Sequence, residues 1–317
     1  MSGELRPQYL AEIIGQVSIK EQLAISISAT KERGETLGHL LFDGPRGTGK
    51  TTLSIAIANE LGVPIQMLNG ATIKEPVDIF RSLRDAEKNS VIFIDEIHRL
   101  PIKVEELLYT ALEDFRIDIP VGMGNRTRVI SYDLEPYTMV GATTMVGGVT
   151  GPLRDRFRNR LTLQLYSHNE LAQIIRGNAN KLQVSISPEA ELELAKRSRG
   201  TPRIAINYFF WTRDVMTDRR EESITTEIVK KAMDMKEVDG MGLSKQDREY
   251  LRLLMEVFDG GPVGERNIAV SLNISPETVS NDIEPYLIQL EYIKRTDRGR
   301  KITRKGQEYY HKSIRKI

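Results

Sequence analysis

Cysteine is absent from this chain of 317 residues, and histidine occurs only four times. Without cysteine there is neither a disulfide framework nor a thiolate-bound metal. The histidines, at positions 39, 98, 168 and 311, are not spaced as metal ligands, which argues against a zinc site. No apolar run approaches the roughly 18 residues of a membrane span, and the stretch MSGELRPQYLAEIIGQ lacks the apolar core of a signal peptide. We therefore expect a cytoplasmic protein with no membrane partner.

An excess of charge of one sign is also missing, because the net charge is only +1. Its distribution is uneven: ten basic and two acidic residues from Lys294 to Ile317 give that segment +8, which leaves −7 for the rest. A basic end on an otherwise acidic chain is typical of contact with a polyanion. Charge alone leaves a simply solvated tail equally open. The length allows two or three domains with a sizeable core.

A glycine-rich stretch, FDGPRGTGKTT at residues 42–52, contains the pattern G-x-x-x-x-G-K-[ST]. HLLF before it predicts a short buried strand, and TTLSIAIANELG after it predicts a helix that ends at Gly62. A strand, a glycine loop and a helix N-terminus form a phosphate cradle, because backbone N–H groups and the helix dipole attract an anion. Lys50 would reach the β and γ phosphates, and the Thr51 hydroxyl would bind Mg²⁺. The alternative is a glycine-rich turn that binds no phosphate.

Two further strands are predicted to end beside this loop. SVIFIDEIHRL, residues 90–100, has the continuous apolar run of a central parallel strand, and the run is followed by Asp95 and Glu96. A carboxylate at the carboxyl end of such a strand lies in the ligand crevice of an open α/β sheet. Asp95 is expected on the Mg²⁺ side, and Glu96 is placed to orient or deprotonate the attacking water. The strand YTMVGATT ends in Thr143 and Thr144, for which spacing alone favours a simple turn.

Nine motifs together resemble the RuvB family of AAA+ ATPases. In chain order they are LRPQYLAEIIGQ, GPRGTGKTT, FIDEIHRL, VGATT, GPLRDRF, RSRGTPRIA, GGPVG, EPYLIQ and RTDRGR. The resemblance runs from about Leu5 to Lys305, and GTPRIA and EPYLIQ are far more specific than the phosphate loop. It implies an ATP-driven motor that translocates duplex DNA during Holliday junction branch migration in recombination and repair. The fold that it implies is an α/β AAA+ P-loop core with a helical lid and a C-terminal winged-helix domain.

The resemblance also implies the domain organisation. We expect a large ATPase domain at residues 1–165, a helical lid at 166–237 and a winged-helix, DNA-binding domain at 238–317. NELAQIIRGNANKL and PEAELELAKRSRG have the helical spacing expected of a lid, with Gly200 as a stop. VDGMGLS, residues 238–244, has the glycines of a linker.

Several sets of residues match positions with family roles in binding ATP and Mg²⁺. The phosphate loop comprises Gly44, Pro45, Gly47, Thr48, Gly49, Lys50, Thr51 and Thr52. The adenine pocket is lined by Ile14, Tyr166 and Pro202. The Mg²⁺ side comprises Thr51 and Asp95. The catalytic set comprises Lys50, Glu96, Thr144 as sensor 1 with Thr143 beside it, Arg156 as arginine finger and Arg203 as sensor 2.

Arg156 would act on the ATP of a neighbouring subunit. A planar guanidinium stabilises the charge that spreads over the transferred phosphoryl group. A finger that acts in trans requires an oligomer, and the family's ring is a homo-hexamer. The residues alone favour another interpretation, in which Arg154 and Arg156 form a surface ion pair with Asp155.

The segment RIDIPVGMGNRTRVISYD, residues 116–133, alternates apolar and polar residues on both sides of a glycine-containing turn. This pattern predicts a β-hairpin. In the family this insertion contacts RuvA, the junction-binding partner, and exposed apolar residues at Val121 and Met123 would favour such a partner. A hairpin that only caps the sheet is the alternative.

The last 80 residues or so predict a winged helix. NIAVSLNISPETVSNDIEPYLIQLEYI predicts helix, turn and helix, and IKRTDRGRKIT predicts two short strands. Exposed Glu277, Asp282 and Glu284 on the second helix would repel a phosphate backbone, so the DNA contact is placed on the strands, without base specificity. The expected phosphate contacts are Arg295, Arg298 and Arg300. A winged helix used for protein contacts is the alternative.

The sequence departs from the family pattern at three places. Met145 stands where the family usually has Arg, Ile13 stands where it usually has Tyr, and an aromatic segment at 208–211 replaces part of an arginine-rich lid helix. We interpret this aromatic segment as a face of the lid core or a subunit contact, with base stacking as a further alternative. The lost arginines keep a second function open, that of an ATP-switched AAA+ regulator or loader that assembles on DNA without translocation.

Overall fold

The computed structural model describes residues 5–121 and 128–314. The chain divides into two compact units, which are Met1–Ile174 with Thr201–Arg203, and Ile175–Gly200 with Ile204–Ile317. Within the described ranges, no helix combines the length and the apolar character that crossing a membrane requires.

A five-stranded parallel sheet forms the centre of the first unit. The strands of this unit are β1 (Leu40–Asp43), β2 (Ile65–Asn69), β3 (Val91–Asp95), β4 (Arg116–Val121), β5 (Arg128–Asp133), β6 (Thr138–Thr143) and β7 (Asn159–Thr162). The order in the sheet is β2-β3-β6-β1-β7. The inner strands β1, β3 and β6 are buried almost throughout, whereas the edge strands β2 and β7 keep exposed residues. Burial on both faces explains why the inner strands are continuous apolar runs.

The sheet separates two apolar clusters. Leu41 of β1 belongs to one cluster, and Leu40 and Phe42 belong to the other, because successive side chains of a strand point to opposite faces. The helices that contribute to the cluster of Phe42 are α1 (Val17–Arg33) and α2 (Lys50–Leu61). Those that contribute to the cluster of Leu41 are α3 (Pro76–Arg84), α4 (Ile102–Glu113) and α5 (Gly151–Asp155). Helices therefore cover both faces, as in a doubly wound α/β fold.

The carboxyl ends of the inner strands lie along one edge of the sheet. Asp43 at the end of β1 is in register with Thr143 at the end of β6, and β3, which ends at Asp95, pairs with the other side of β6. The predicted strand, loop and helix around the phosphate loop are confirmed. Helix α2 follows β1 and is capped by Gly62 in the left-handed region, with φ of 73°.

The predicted hairpin at 116–133 is also confirmed, because β4 and β5 pair in antiparallel fashion. On β5, the side chains of Val129, Ile130 and Tyr132 are exposed. The sequence predicts exposed apolar side chains at Val121 and Met123, near the tip of the hairpin. Both side chains lie outside what the structure describes.

Four helices form the lid segment. They are α6 (His168–Lys181), α7 (Pro188–Arg197), α8 (Pro202–Asp218) and α9 (Thr226–Met235). Helix α7 ends at Arg197, three residues before the stop that the sequence suggests. Arg199 and Gly200 both have left-handed backbones, with φ of 54° and 67°, which a right-handed helix cannot continue.

The aromatic segment 208–211 lies on α8. Phe209 is fully buried, and the indole Nε1 of Trp211 donates to the carbonyl oxygen of Ala232 at 2.8 Å. The ammonium of Lys236 lies 4.8 Å from the centre of the Trp211 ring. These contacts join α8 to the segment of α9, so the interpretation of this segment as a face of the lid core is confirmed.

The winged helix follows in the second unit. Its elements are α10 (Lys245–Glu256), α11 (Glu265–Leu272), α12 (Pro276–Thr278), α13 (Glu284–Gln289), β8 (Ile293–Thr296), β9 (Gly299–Ile302) and α14 (Arg304–Tyr309). A π-helical turn, Val279–Ile283, joins α12 and α13 into the predicted second helix. Strands β8 and β9 pair in antiparallel fashion and form the predicted strand pair, residues 293–302, called the wing below.

The predicted linker at 238–244 is held by side chains from both sides. The guanidinium Nε of Arg199, next to the lid helix α7, donates to the carbonyl oxygen of Gly242 at 2.8 Å. The hydroxyl of Tyr286, in the winged helix, donates to the carbonyl oxygen of Met241 at 2.5 Å. The lid segment and the winged helix are therefore tied together within the second unit.

Candidate active site

The phosphate loop between β1 and α2 turns through three glycines with positive φ. The φ angles are 136° at Gly44, 79° at Gly47 and 108° at Gly49, a region that residues with a Cβ rarely adopt. A Cβ at Gly44 would lie 2.5 Å from the carbonyl oxygen of Leu163, so no side chain fits there. The buried hydroxyl of Thr48 donates to the carbonyl oxygen of Pro45 at 2.8 Å and holds the loop closed on itself.

Lys50 is the first residue of α2, so its side chain and the positive end of the helix dipole face the same loop. Its ammonium donates to the carbonyl oxygens of Gly44 at 2.8 Å and Pro45 at 2.9 Å. Burial lowers the pKa of Lys50, and the nearby carboxylates of Glu96 and Asp95 oppose that shift. The side chain is only 7% exposed, which gives the loop a desolvated cation.

The two carboxylates follow β3 as predicted, and the backbone turns sharply between them. Asp95 is the last residue of the strand, and Glu96 has a left-handed backbone with φ of 51°. The Glu96 amide donates to Asp95 Oδ1 at 3.0 Å. The two side chains therefore have different surroundings, although they are adjacent in sequence.

Thr144 reaches the second carboxylate. Its hydroxyl donates to Oε2 of Glu96 at 3.3 Å, across 48 residues of sequence. Spacing alone favours an ordinary turn for Thr143 and Thr144, whereas the structure brings Thr144 to the carboxylate expected to orient water.

One member of the cluster escaped the sequence reasoning. The Nδ1 atom of His98 lies 2.9 Å from the Thr143 hydroxyl oxygen and 3.3 Å from Glu96 Oε2. The spacing of the histidines bears only on metal binding, and a place three residues after Asp95 carries no chemical signal of its own. Only the pairing of β3 with β6 brings these groups together.

The expected adenine-pocket residues belong to the first unit, as does Arg203. Tyr166 is buried, which raises its pKa to about 12, and the side chain of Gln16 hydrogen-bonds to it. A Cβ at Gly15 would lie 2.9 Å from the Tyr166 ring, so the segment that carries half-buried Ile14 passes close to that ring.

Arg203 lies beside the phosphate loop. The Cβ atom of Arg203 lies 3.0 Å from the position that a Cβ added at Gly47 would take. The positive charge of Arg203 contributes to lowering the pKa of Lys50. Pro202 precedes it as the first residue of α8. The structure thus brings Arg203 to the same loop as Lys50, 153 positions earlier in the chain.

These residues fit a nucleotide with Mg²⁺. The glycine turns and the start of α2 offer backbone N–H groups and a positive dipole to phosphates. Thr51, half-buried in the first turn of α2, and Asp95 could hold the metal ion, which prefers oxygen ligands.

Arg156 lies just after α5, where its guanidinium makes three hydrogen bonds. Nε donates to Tyr109 O at 3.1 Å, Nη1 donates to Pro152 O at 2.7 Å, and Nη2 donates to Glu113 Oε2 at 3.0 Å. The group also lies 4.4 Å from the centre of the Tyr109 ring. The Arg156 side chain therefore packs against α4.

The ion pair of Arg154 and Arg156 with Asp155 that the residues alone favoured is wrong. Asp155 accepts instead from Arg160 Nη2 at 2.6 Å, because β7 brings that residue alongside. Nε of Arg154 is buried and has no hydrogen-bond partner among the described residues.

The three arginines of the wing differ in how exposed they are and in whether they form ion pairs. Arg298, in the turn between β8 and β9, is exposed as expected. Arg300 is only 15% exposed, because its guanidinium pairs with Glu284 and Glu265, both at 2.8 Å. Arg295 is half-exposed and also pairs with Glu284, at 2.7 Å.

The expectation of an exposed Glu284 is wrong. Its side chain is fully buried, and it accepts hydrogen bonds from Arg295, Arg300 and the hydroxyl of Tyr250. A buried carboxylate needs such partners, because its charge is removed from water. Glu284 therefore does not repel DNA, and it holds both strands of the wing against α13.

Three family models match consecutive parts of the chain. They describe the P-loop domain of the Holliday junction DNA helicase RuvB at residues 5–163, the RuvB AAA lid domain at 166–239, and the RuvB C-terminal winged helix domain at 240–311. Together they span nearly all of the described residues.

Named relatives and solved structures agree with these models. The Holliday junction branch migration complex subunit RuvB of Rhodopirellula baltica is 46% identical over 310 residues, which cover 98% of this chain and 85% of that protein. The protein of the same name from Fervidobacterium nodosum is 45% identical over 308 residues, covering 97% and 89%. The structure of the Thermotoga maritima RuvB Holliday junction branch migration motor matches with a TM-score of 0.87 and 42% identity over 97% of both chains.

The parallel sheet, the phosphate loop with its neighbouring carboxylates, the lid and the winged helix define a nucleotide-binding AAA+ P-loop protein. The family models and the relatives then identify the family within that class. This chain belongs to the RuvB family.

Proposed function

We propose that this protein is an ATP-driven motor that translocates duplex DNA during Holliday junction branch migration, in recombination and repair. The observation that carries the proposal is one cluster at the ends of β1, β3 and β6, in which Lys50 lies with Asp95 and Glu96, and Thr144 contacts Glu96. The same chain carries a winged helix with an exposed basic turn. The RuvB names of its relatives support the same reading.

Within the ATP site each residue has a separate task. The phosphate loop and Lys50 bind the phosphates, and Arg203 contacts the γ-phosphate from the start of α8. Thr51 and Asp95 would hold Mg²⁺, which would neutralise part of the phosphate charge. Glu96 accepts the proton of the attacking water, and the Thr144 hydroxyl keeps that carboxylate in place. Ile14, Tyr166 and Pro202 line the adenine pocket.

Arg156 completes the ATP site of a neighbouring copy in a homo-hexameric ring. The position supports this role because Arg156 follows a short helix on the α4 side of the sheet and is held there by Tyr109 and Glu113. A guanidinium oriented by fixed partners loses little further freedom when it meets a phosphoryl group. The finger then lets hydrolysis depend on the neighbouring subunit.

The hairpin of β4 and β5 is the proposed contact for a RuvA-type junction-binding protein. Its exposed Ile130 and Tyr132, which share one face of β5, support an apolar partner surface, and Val129 is exposed on the opposite face. We also propose the domain bounds 1–165, 166–237 and 238–317, and a place in the cytoplasm.

A junction-dissociation assay tests the proposal. Four-way DNA should be separated into duplexes in the presence of ATP, with a higher rate when a RuvA-type protein is added, and hydrolysis should rise with DNA. ATP-dependent DNA binding with negligible turnover would support the switch or loader instead. Trp211 of the aromatic segment is bonded within the lid, but the lid arginines that this segment replaces are still missing, so the assay decides between the two functions.

The wing offers a sharper prediction for DNA contact. Arg298→Ala should weaken binding to all duplex sequences about equally, and the slope of log affinity against log salt should fall by about one, because one phosphate contact no longer releases its counterion. Arg298→Lys keeps the charge and should keep the slope. A salt titration of duplex binding measures both. An unchanged slope and affinity in the Ala variant would contradict a phosphate contact at Arg298 and favour a wing that contacts protein.

Arg300→Ala should behave differently from Arg298→Ala. Its loss leaves the buried carboxylate of Glu284 with fewer partners, so we expect the free energy of unfolding to fall by about 1–3 kcal/mol. Thermal unfolding of the two variants separates a structural arginine from one that contacts DNA. Equal stability of both variants would contradict this assignment.

A further inference from the structure

His98 lies at the centre of the hydrolytic cluster, although no role has been assigned to it so far. It follows β3 in a short 3₁₀ turn, Ile97–Arg99, and its side chain is 13% exposed. Gly148 packs against it so closely that an added Cβ would lie 3.2 Å from His98 Cβ. The ring is therefore confined between the ends of β3 and the segment after β6.

The hydrogen bonds determine which nitrogen carries the proton. Nδ1 faces two oxygens, the Thr143 hydroxyl at 2.9 Å and Glu96 Oε2 at 3.3 Å. A lone pair on Nδ1 would face the lone pairs of the carboxylate, which is unfavourable, so we place the hydrogen on Nδ1, which donates it to the nearer Thr143 oxygen. The Thr143 oxygen is itself fixed, because it also accepts from the Met145 amide at 2.9 Å.

We propose that His98 is a positioning residue for ATP hydrolysis: its ring, fixed by the hydrogen bond between Nδ1 and Thr143, lies 3.3 Å from Oε2 of Glu96 and, together with the Thr144 hydroxyl, confines that oxygen so that Oε1 is directed toward the attacking water. This inference rests on the proposed ATPase function. The Thr144 hydroxyl donates to Oε2 and the His98 ring contacts the same oxygen, which restricts the rotation of a carboxylate that is 23% exposed and would otherwise sample several rotamers. The ring comes from the turn after β3 and the hydroxyl follows β6, so the orientation of Glu96 depends on both strands.

The charge state of the ring suits this task. Burial lowers the pKa of His98, and Glu96 and Asp95 oppose that shift. A neutral imidazole confines the carboxylate without cancelling the negative charge that Glu96 needs as a base. A permanent cation at the same place would make the carboxylate a weaker proton acceptor.

Two matched substitutions test the Nδ1 contact. The amide nitrogen of Asn can occupy the position of Nδ1, whereas the amide of Gln reaches the position of Nε2. His98→Asn should therefore keep the hydrolysis rate within about 3-fold of the parent, and His98→Gln should lower kcat by roughly 10- to 100-fold. The affinity for ATP should be unchanged in both, because neither variant alters the phosphate loop. Single-turnover hydrolysis and direct ATP binding give the two quantities.

A double variant excludes a purely structural effect. If His98 acts through the Glu96 carboxylate, His98→Gln should cause no additional loss of rate once Glu96→Gln is present. Equal losses in the Asn and Gln variants, full activity in both, or an additive loss in the double variant would each overturn the inference. An active His98→Gln with an inactive Glu96→Gln would sink only the role of His98, whereas parental turnover by Glu96→Gln would contradict the proposed site itself.

Discussion

Glu96→Gln is expected to bind ATP with the parent affinity and to hydrolyse it at least about 100-fold more slowly. The amide has nearly the shape of the carboxylate, so the phosphate loop and its contacts are preserved. It lacks the negative charge that accepts a proton from water. Steady-state hydrolysis and equilibrium nucleotide binding, measured on the same preparation, separate these two effects.

A matched control is available on the surface. Glu21 is exposed on helix α1, so Glu21→Gln makes the same chemical change and should leave both binding and turnover at the parent level. If Glu96→Gln also hydrolyses ATP at the parent rate, Glu96 does not orient or deprotonate the water. If it fails to bind ATP, the residue contributes to the cradle and not to the chemical step.

Arg156→Ala is expected to lower hydrolysis by the assembled protein by about 10³- to 10⁵-fold, the range measured for arginine fingers. The substitution leaves the cradle of each subunit intact, because Arg156 is bonded to Tyr109, Pro152 and Glu113 and not to the phosphate loop. ATP binding should therefore persist. Thermal unfolding of the variant measures how much its contacts with α4 contribute to stability.

Mixing two inactive variants tests whether the finger acts in trans. Lys50→Ala removes the buried cation of the cradle and should abolish productive nucleotide binding. In mixed rings, a subunit with Arg156→Ala keeps a complete cradle and can face a Lys50→Ala subunit that supplies the missing arginine. Part of the activity should return at intermediate ratios. Absence of rescue at every ratio, in rings proven to be mixed, would argue against a finger in trans.

The ATP site could be predicted to a large extent because its signals are local. Gly44, Gly47 and Gly49 are read from spacing, and the left-handed turns that they adopt are the ones that glycine allows. Asp95 and Glu96 come at the end of an apolar run that is typical of a central parallel strand buried on both faces. The contact of Thr144 with Glu96 was not derivable from spacing, since it depends on how β6 pairs with β3.

The charged residues of the second unit were predicted less well. Glu284 looked like an exposed acid on a DNA-facing helix, yet it is buried beneath the wing. Arg300 looked as free as Arg298, yet it pairs with that buried carboxylate. The alternation of residues along the wing strands could not reveal the pairing of Arg300, because its partners Glu265 and Glu284 lie on helices that precede the wing in the chain.

By itself, the sequence determined the phosphate loop, the carboxylates that follow β3, the order of the domains and the family. Each of these depends on residue types at short, regular spacing, and local backbone preferences act at the same range. The tertiary structure alone decided which side chain meets which: His98 with Thr143, Thr144 with Glu96, and Arg300 with Glu284. A polar group that leaves water must find a partner wherever the packed chain supplies one. That partner lies 45 residues away for His98 and 16 residues away for Arg300, so it is determined by packing and not by the neighbouring sequence.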